Sequence, residues 1–167
     1  DFNCKDYFPL PEPLIQKKFS RIMSLRDGTK KMSKSEESDY SRINLKDSEE
    51  DIIKKIKKAK TDSVPIPDNE KELKDRPEAL NLLSIYGDIT GNNLSEVLKE
   101  MSGKEFSHVK TKLSEALIET ICPIGRKISE LMKDKVHLEG VLKKGKEKAS
   151  IKSEENLKKI RDIVGFI

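Results

Sequence analysis

The sequence lacks tryptophan and has only two histidines, two cysteines and few aromatic residues of any kind. Because Cys4 and Cys122 lie far apart, it predicts neither a disulfide scaffold nor a cysteine-rich zinc site, and a reducing compartment is the default. No apolar run approaches the roughly 18 residues needed to cross a bilayer. No charged segment precedes an apolar run in the manner of a signal peptide. The composition therefore gives no indication of a disulfide-rich, secreted or membrane-spanning protein.

Charged residues are abundant. The 34 Lys and Arg exceed the 30 Asp and Glu, for a formal net charge of +4, and hydrophobic residues make up 34% of the 167 positions. Leu, Ile, Val and Phe still supply about a quarter of the chain, above the roughly 20% below which charged chains are usually disordered. We therefore expect one or two small folded domains, built by open helical packing or as part of something larger.

The first 18 residues carry no helix-start pattern and hold three prolines, at positions 9, 11 and 13. The chain also begins with Asp and not Met. This stretch is typical of the middle of a longer chain, so we expect the sequence to be a fragment.

The next stretch predicts two short strands around a loop. Residues 20–25 are apolar and end at Asp27-Gly28, a turn pair, which favours a brief strand. Residues 28–41 are almost wholly polar and predict an exposed, mobile loop, and residues 42–45 suit a second short strand.

From Asp47 onward the sequence predicts helices. Asp47 with Glu50 fits a capping box, and Ile52, Ile53, Ile56 and Ala59 recur on one helical face. Residues 61–74 are polar and predict a linker or long loop.

Further helix signals follow. Pro77 fits the first turn of a helix that ends near Gly91, and Asn93 with Glu96 fits a second capping box, with Gly103 as its stop. The apolar period then continues from residue 104 past Pro123, which should kink or end that helix, and two more amphipathic segments cover residues 136–142 and 149–164.

The densest chemical signal is the loop segment from Thr29 to Ser35, which reads TKKMSKS. Lysine ammonium groups and serine hydroxyls all donate hydrogen bonds, so such a loop suits a polyphosphate whose charge grows during a reaction. A loop can also close over its ligand and deliver those charges only at the transition state. By composition alone, a solvated basic loop is the better explanation of the segment.

Residues 31–35 are identical to the KMSKS signature of class I aminoacyl-tRNA synthetases. The context, residues 21–35, 54–63 and 76–86, resembles the tryptophanyl-tRNA synthetases more than their tyrosine counterparts, as does the C-terminal part from residue 106 through Cys122-Pro123 to the closing Gly165-Phe166. The resemblance covers essentially the whole chain and looks bacterial or organellar.

The resemblance implies ATP-dependent activation of tryptophan and its transfer to a tRNA, with magnesium carried by ATP and no protein metal ligand. Lys31 and Lys34 would be the catalytic residues on the ATP phosphates, and Lys34 would stabilise the departing pyrophosphate. Backbone groups at Ile22 and Met23 would hold adenine, and Met32 would anchor the loop. The implied ATP-binding residues are Ile22, Met23, Lys31, Met32, Ser33, Lys34 and Ser35.

The fold implied is mainly α. Residues 1–46 would be the C-terminal remnant of a Rossmann-type α/β nucleotide-binding domain with the KMSKS loop, and residues 47–167 an all-helical anticodon-binding domain. Family members are homodimers without a membrane partner. Both the bacterial cytoplasm and the mitochondrial matrix fit the resemblance.

Other parts of such an enzyme have no counterpart in these residues. The second signature, Thr-x-Gly-Asn, should precede the KMSKS loop; Thr90-Gly91-Asn92 lacks the spacer, follows a helix and reads as a helix end. The tryptophan-binding residues should also lie upstream, the anticodon-reading residues cannot be assigned, and the isolated His108 and His137 suggest no catalytic triad. We therefore expect the chain to be inactive alone.

Three alternatives remain at this stage: a non-catalytic tRNA-binding module derived from a class I synthetase, a tyrosine ligase, and a helical interaction protein that matches by accident. The basic runs at residues 54–60 and 133–148 fit either a tRNA backbone or the solvated side of a helix.

Overall fold

The computed structural model describes residues 7–14 and 21–166 and is mainly helical, as the sequence predicts. Two short 3-10 turns accompany the helices, at Asp39–Ser41 and Glu70–Leu73. The α-helices are α1 (Glu49–Lys58), α2 (Pro77–Thr90), α3 (Leu94–Met101), α4 (Phe106–Leu131) and α5 (Lys135–Val164).

The chain divides into two compact units. One comprises residues 15–129, and the other comprises residues 1–14 together with residues 130–167. The limits of these units differ from those of the expected domains, so a domain boundary between residues 46 and 47 stays a prediction.

The unit of residues 15–129 has a continuous apolar core. Helices α1 to α4 each contribute side chains to it, and Ile66 and Leu73 enter from the segment between α1 and α2. The side chains that are almost completely buried include Ile52, Ile56, Leu73, Leu82, Leu83, Val97, Leu98, Met101, Val109 and Leu113. On α1 the predicted face is right except for Ile53, which remains 47% exposed.

Helix α1 begins one residue later than the sequence suggests. The N-cap is Ser48, whose hydroxyl accepts from the Asp51 amide, while the Asp51 carboxylate accepts from the Ser48 amide. The predicted pair of Asp47 and Glu50 is therefore wrong. Asp47 is held elsewhere, by the backbone amide of Asn44 and the ammonium group of Lys55.

The segment predicted to be a polar linker, residues 61–74, is packed against the core. Ile66 is buried and exchanges backbone hydrogen bonds with Gly103 and Lys104. Arg76 binds Asp62 through two nitrogens, at 2.9 and 2.7 Å, and also donates to two carbonyl groups of the segment. These long-range contacts order a stretch whose composition alone indicates a loop.

The boundaries of α2 and α3 confirm the sequence prediction. Pro77 occupies the first turn of α2, and Gly91 ends it in the left-handed conformation at φ 75°. Asn93 and Glu96 form the expected capping box of α3. Thr90 to Asn92 is thus a helix end and the turn after it, as predicted.

Helix α4 continues through Pro123 and does not end there. Two residues further on, Gly125 allows a close approach, because a Cβ at this position would lie 2.6 Å from the Leu45 carbonyl oxygen. Cys122 is buried, in agreement with a packing role.

In the second unit, α5 is one helix of 30 residues, so the two separate segments expected from the sequence are wrong. The Asp134 carboxylate accepts from the His137 amide at its start, and no residue of α5 is buried. Tyr7 donates from its hydroxyl to the Asn156 carbonyl at 3.3 Å. Within the described part of the chain, no helix is both long and apolar enough to cross a membrane.

Candidate ATP-binding loop

Residues 22–32 form a narrow backbone hairpin. The Met32 amide donates to the Ile22 carbonyl at 3.0 Å, the Ser24 amide donates to the Lys30 carbonyl at 2.7 Å, and Met23 and Lys31 pair as an isolated antiparallel bridge. Neither residues 21–25 nor residues 42–45 form a strand, so both strand predictions are wrong for the described residues; position 20 lies outside them. A Rossmann remnant in residues 1–46 thus stays a prediction.

The tip of the hairpin is closed by short-range polar contacts. The Asp27 carboxylate accepts from the amide and the hydroxyl of Thr29, at 3.0 and 2.6 Å. These hydrogen bonds lower the pKa of Asp27, and Lys30 pairs with the same carboxylate at 3.5 Å. Thr29 and Lys30 are therefore engaged within the turn.

The signature residues leave the hairpin at Lys31. The Met32 side chain is partly buried and packs against the core, as expected of an anchor for the loop. Beyond it, the hydroxyl groups of Ser33 and Ser35 lie 3.0 Å apart, and the Ser33 hydroxyl accepts from the Ser35 amide at 3.3 Å. The two serines thus form a compact turn that carries Lys34 between them.

Lys31 and Lys34 are both exposed, and neither pairs with a carboxylate in the part of the chain that the structure describes. Lys30 differs, because Asp27 neutralises it. The segment thus offers a set of donors: two ammonium groups without a carboxylate partner among the described residues, and two serine hydroxyls hydrogen-bonded to each other. Such a set fits an anionic ligand with several oxygens, such as a polyphosphate.

The first arm of the hairpin is held by a side chain that site prediction from the sequence missed. Asn81 of α2 is 5% exposed, accepts from the Met23 amide at 2.9 Å, and donates to the Met23 carbonyl at 2.9 Å. The sequence does contain a signal for it, because Asn81 is a polar residue among the apolar residues Leu80, Leu82 and Leu83. A buried polar side chain needs partners, and here the partner is loop backbone.

The tip of the hairpin rests on the start of α2. A Cβ at Gly28 would lie 2.6 Å from backbone atoms of both Pro77 and Glu78, so only glycine allows this approach. Glu78 pairs with Lys60 at 2.7 Å. Its pKa is lowered mainly by that hydrogen bond and to a smaller extent by the backbone amides of Glu78 and Gly28.

The segment after the loop is anchored to α1 by a buried lysine. The Lys55 ammonium group lies 2.6 Å from Asp39 and 2.7 Å from Asp47, and its side chain is 5% exposed. Burial would lower the pKa of Lys55, but the hydrogen bonds to the two carboxylates outweigh it and raise the pKa. The hydrogen bond from Lys55 is also the main reason why the pKa of Asp39 is lowered.

Of the lysines of residues 54–60, only Lys55 is buried; the other four are exposed, and whether they face tRNA stays a prediction. Lys55 is buried, Lys60 pairs with Glu78, Lys58 lies 4.2 Å over the Tyr40 ring, and Lys54 approaches Glu50 at 3.5 Å. Of the residues that the structure describes, no three His, Cys, Asp or Glu side chains come together in a group fit to hold a metal ion.

Comparison with known proteins defines the class. The family model "tRNA synthetases class I (W and Y)" matches residues 1–121, and the chain belongs to this family. Among curated relatives, the tryptophan–tRNA ligase of Caulobacter vibrioides is 46% identical over 166 residues, which is 99% of this chain and 48% of the relative. The tryptophan–tRNA ligase of Rhizobium meliloti is 47% identical over 161 residues, covering 96% of this chain and 46% of the relative.

A solved structure agrees. The tryptophanyl-tRNA synthetase of Mycoplasma pneumoniae superposes with a TM-score of 0.73 at 29% identity, over 90% of this chain and 45% of that one. The chain thus spans about half the length of the relatives it matches. The resemblance to tryptophanyl-tRNA synthetases predicted from the sequence is confirmed.

Proposed function

We propose that the chain is the C-terminal half of a tryptophan–tRNA ligase, which activates tryptophan with ATP and transfers it to its tRNA. The observation that carries the proposal is the KMSKS loop, whose lysines at 31 and 34 are exposed and lack a carboxylate partner among the described residues. Family membership and the bacterial relatives named tryptophan–tRNA ligase support the same reading.

In this reaction the tryptophan carboxylate attacks the α-phosphorus of ATP, so the substrate supplies the nucleophile. The protein then contributes positioning and stabilisation of charge. Lys31 and Lys34 bind the phosphates, and Lys34 stabilises the negative charge on the departing pyrophosphate. The hydroxyls of Ser33 and Ser35 donate to phosphate oxygens.

The backbone at Ile22 and Met23 binds adenine, and Met32 holds the loop to the core. Adenine has to use other hydrogen-bonding positions on this backbone, because the Met23 amide and carbonyl bind Asn81 and the Ile22 carbonyl accepts from the Met32 amide. Magnesium enters with ATP and needs no residue of this chain as ligand.

The other parts of the proposal concern the complete ligase. Its tRNA is bound by the helical residues 47–167, residues 1–46 complete the nucleotide-binding domain, and the full protein is a homodimer in the bacterial cytoplasm. The 167 residues alone are inactive, because the tryptophan site and the second nucleotide signature precede them.

The test is amino-acid-dependent ATP–pyrophosphate exchange by the product of the uninterrupted reading frame. We expect exchange with tryptophan and not with tyrosine. Lys34→Ala should lower kcat about 100-fold or more, the usual cost of losing one transition-state donor. Its Tm should stay unchanged, because Lys34 is exposed and has no ion pair among the residues that the structure describes.

Lys30→Ala is the matched control, because Lys30 is an exposed lysine of the same loop that pairs with Asp27. It should retain exchange within about threefold of the unsubstituted rate, in line with the small energies of exposed ion pairs. Equal losses in Lys30→Ala and Lys34→Ala would contradict the specific role of Lys34. Tryptophan-dependent exchange by the isolated 167-residue chain would refute its inactivity.

The alternative is a non-catalytic tRNA-binding module derived from such a synthetase. The basic surface of α5, where lysines outnumber acids between residues 133 and 148, is the observation that favours it. Such a module would bind tRNA with a steep salt dependence and show no exchange with either amino acid.

A further inference from the structure

We propose that Asn81 is a positioning residue for ATP activation, acting through the backbone of the hairpin that carries the signature lysines. The inference rests on the proposed ligase function and adds to it a residue that does not touch ATP. Asn81 lies 58 positions from Met23 in the sequence, on a different element.

The first step is the rigidity of the contact. The side-chain amide of Asn81 forms two hydrogen bonds with Met23. Its oxygen accepts from the Met23 amide and its nitrogen donates to the Met23 carbonyl, both at 2.9 Å. Asn81 is also 5% exposed and sits on α2 between core leucines, so its own position is fixed by packing. A two-point contact from a fixed side chain sets both the place and the direction of the backbone at residue 23.

The second step is the connection from Met23 to the signature. Met23 pairs directly with Lys31 in the antiparallel bridge, and hydrogen bonds on either side of that pair lock its register. A shift of the first arm therefore moves the backbone from which Lys31 projects. Lys34 follows three residues later, carried by the turn of Ser33 and Ser35.

The third step is a second contact at the same helix start. Gly28, at the tip of the hairpin, lies against Pro77 and Glu78 so closely that a Cβ would stand 2.6 Å from their backbone atoms. The first turns of α2 thus support the hairpin at two points, Gly28 and Met23. Misplacement of a reacting group by about 1 Å can cost about 100-fold in rate, so support of this kind bears directly on catalysis.

The experiment uses the product of the uninterrupted reading frame and ATP–pyrophosphate exchange. We expect Asn81→Ala to lower kcat/KM for ATP by about 10- to 100-fold and to leave the KM for tryptophan within about twofold. Gly28→Ala should act in the same direction, because the added methyl group displaces the hairpin from the other side.

Two matched controls separate positioning from loss of stability. Asn93→Ala removes a capping asparagine at the start of α3, away from the loop. Gly140→Ala adds a methyl group on α5, where a Cβ meets nothing within 4 Å. Both controls should keep kcat/KM for ATP within about twofold. Equal losses in Asn93→Ala and Asn81→Ala would overturn the inference.

Hydrogen exchange of the Met23 and Ser24 amides, read by mass spectrometry, tests the contact itself. Asn81→Ala should speed exchange in residues 22–32 at least tenfold, while the amides of α3 and α4 keep their protection. Unaltered ATP kinetics for Asn81→Ala in an otherwise active protein would refute the inference alone. If the unsubstituted protein shows no tryptophan-dependent ATP–pyrophosphate exchange, the proposed function fails, and the inference fails with it.

Discussion

The buried ion pairs of Lys55 give the sharpest prediction about stability. Its ammonium group binds Asp39 and Asp47 at 2.6 and 2.7 Å, and the side chains of Lys55 and Asp47 are only 5% and 9% exposed. Removing one partner of a buried pair costs about 3–5 kcal/mol, because the remaining charge is left uncompensated. The other carboxylate, on Asp39, is half exposed and can be solvated by water. We therefore expect Lys55→Met to lower the free energy of unfolding by about 2–3 kcal/mol.

The neighbouring lysine provides the control. Lys54 is 61% exposed and approaches Glu50 only at 3.5 Å, so Lys54→Met should change the free energy of unfolding by no more than about 0.5 kcal/mol. Both substitutions keep a good helix former in α1. Urea unfolding followed by circular dichroism at 222 nm measures both values. If Lys55→Met lost no more stability than Lys54→Met, the assignment of a buried, stabilising pair would be wrong.

The same pairs predict the pH dependence of stability. The pKa of Asp39 is lowered from 3.8, so its contribution is present above that pH and is lost as the pH falls through the folded pKa. The pKa of Lys55 is raised from 10.5, so its contribution is present below that pH and is lost as the pH rises through the folded pKa. Lys55→Met should reduce the alkaline loss, to which Lys60 with its own raised pKa still contributes, and weaken the acid loss. An unchanged pH profile would contradict this.

Two further substitutions, each with a control, test local packing and helix capping by the same urea titration. Gly125→Ala should cost about 1–3 kcal/mol, because its Cβ would meet the Leu45 carbonyl oxygen at 2.6 Å. The control Gly145→Ala has open space around it and should be neutral or stabilising by up to about 1 kcal/mol. Similar effects of the two substitutions would argue against the close approach. Ser48→Ala should cost about 1 kcal/mol through loss of the helix cap. Glu50→Ala should cost no more than about 0.5 kcal/mol, because Glu50 makes only an exposed pair with Lys54. The reverse order would favour the cap predicted from the sequence.

The helix boundaries that the sequence predicts correctly are those set by local chemistry. Pro77 fits the first turn through its fixed φ, Gly91 fits the left-handed end of α2, and Asn93 reaches an amide three residues away. Each of these preferences acts within a few residues. Neighbouring sequence is therefore enough to predict it.

The start of α1 shows where local signals fail. Both Asp47 with Glu50 and Ser48 with Asp51 have the spacing of a capping box, so the local pattern cannot choose between them. The choice is made by Lys55, eight residues away, which binds the Asp47 carboxylate. The packed segment of residues 61–74 is similar, because its order depends on Arg76 binding Asp62.

The candidate site divides in the same way. The signature from Lys31 to Ser35 is contiguous, so its identity can be read from the sequence, and Met32 packs against the core as expected. Its support comes from Asn81, which binds Met23 58 positions away, and from Gly28, which lies against Pro77 and Glu78. Tertiary contacts of this kind leave no local pattern except a polar residue on an apolar helix.

The contact between Asn81 and the hairpin has a consequence for mutational tolerance. Asn81 binds the main chain of residue 23 and not its side chain, so a saturation library at position 23 should accept many residues. Proline is the exception, because it has no amide hydrogen to donate. Position 81 should accept few residues, since few side chains of that size offer an acceptor and a donor together. Selection for activity would thus act on Asn81 of α2, although the backbone that Asn81 positions belongs to the loop.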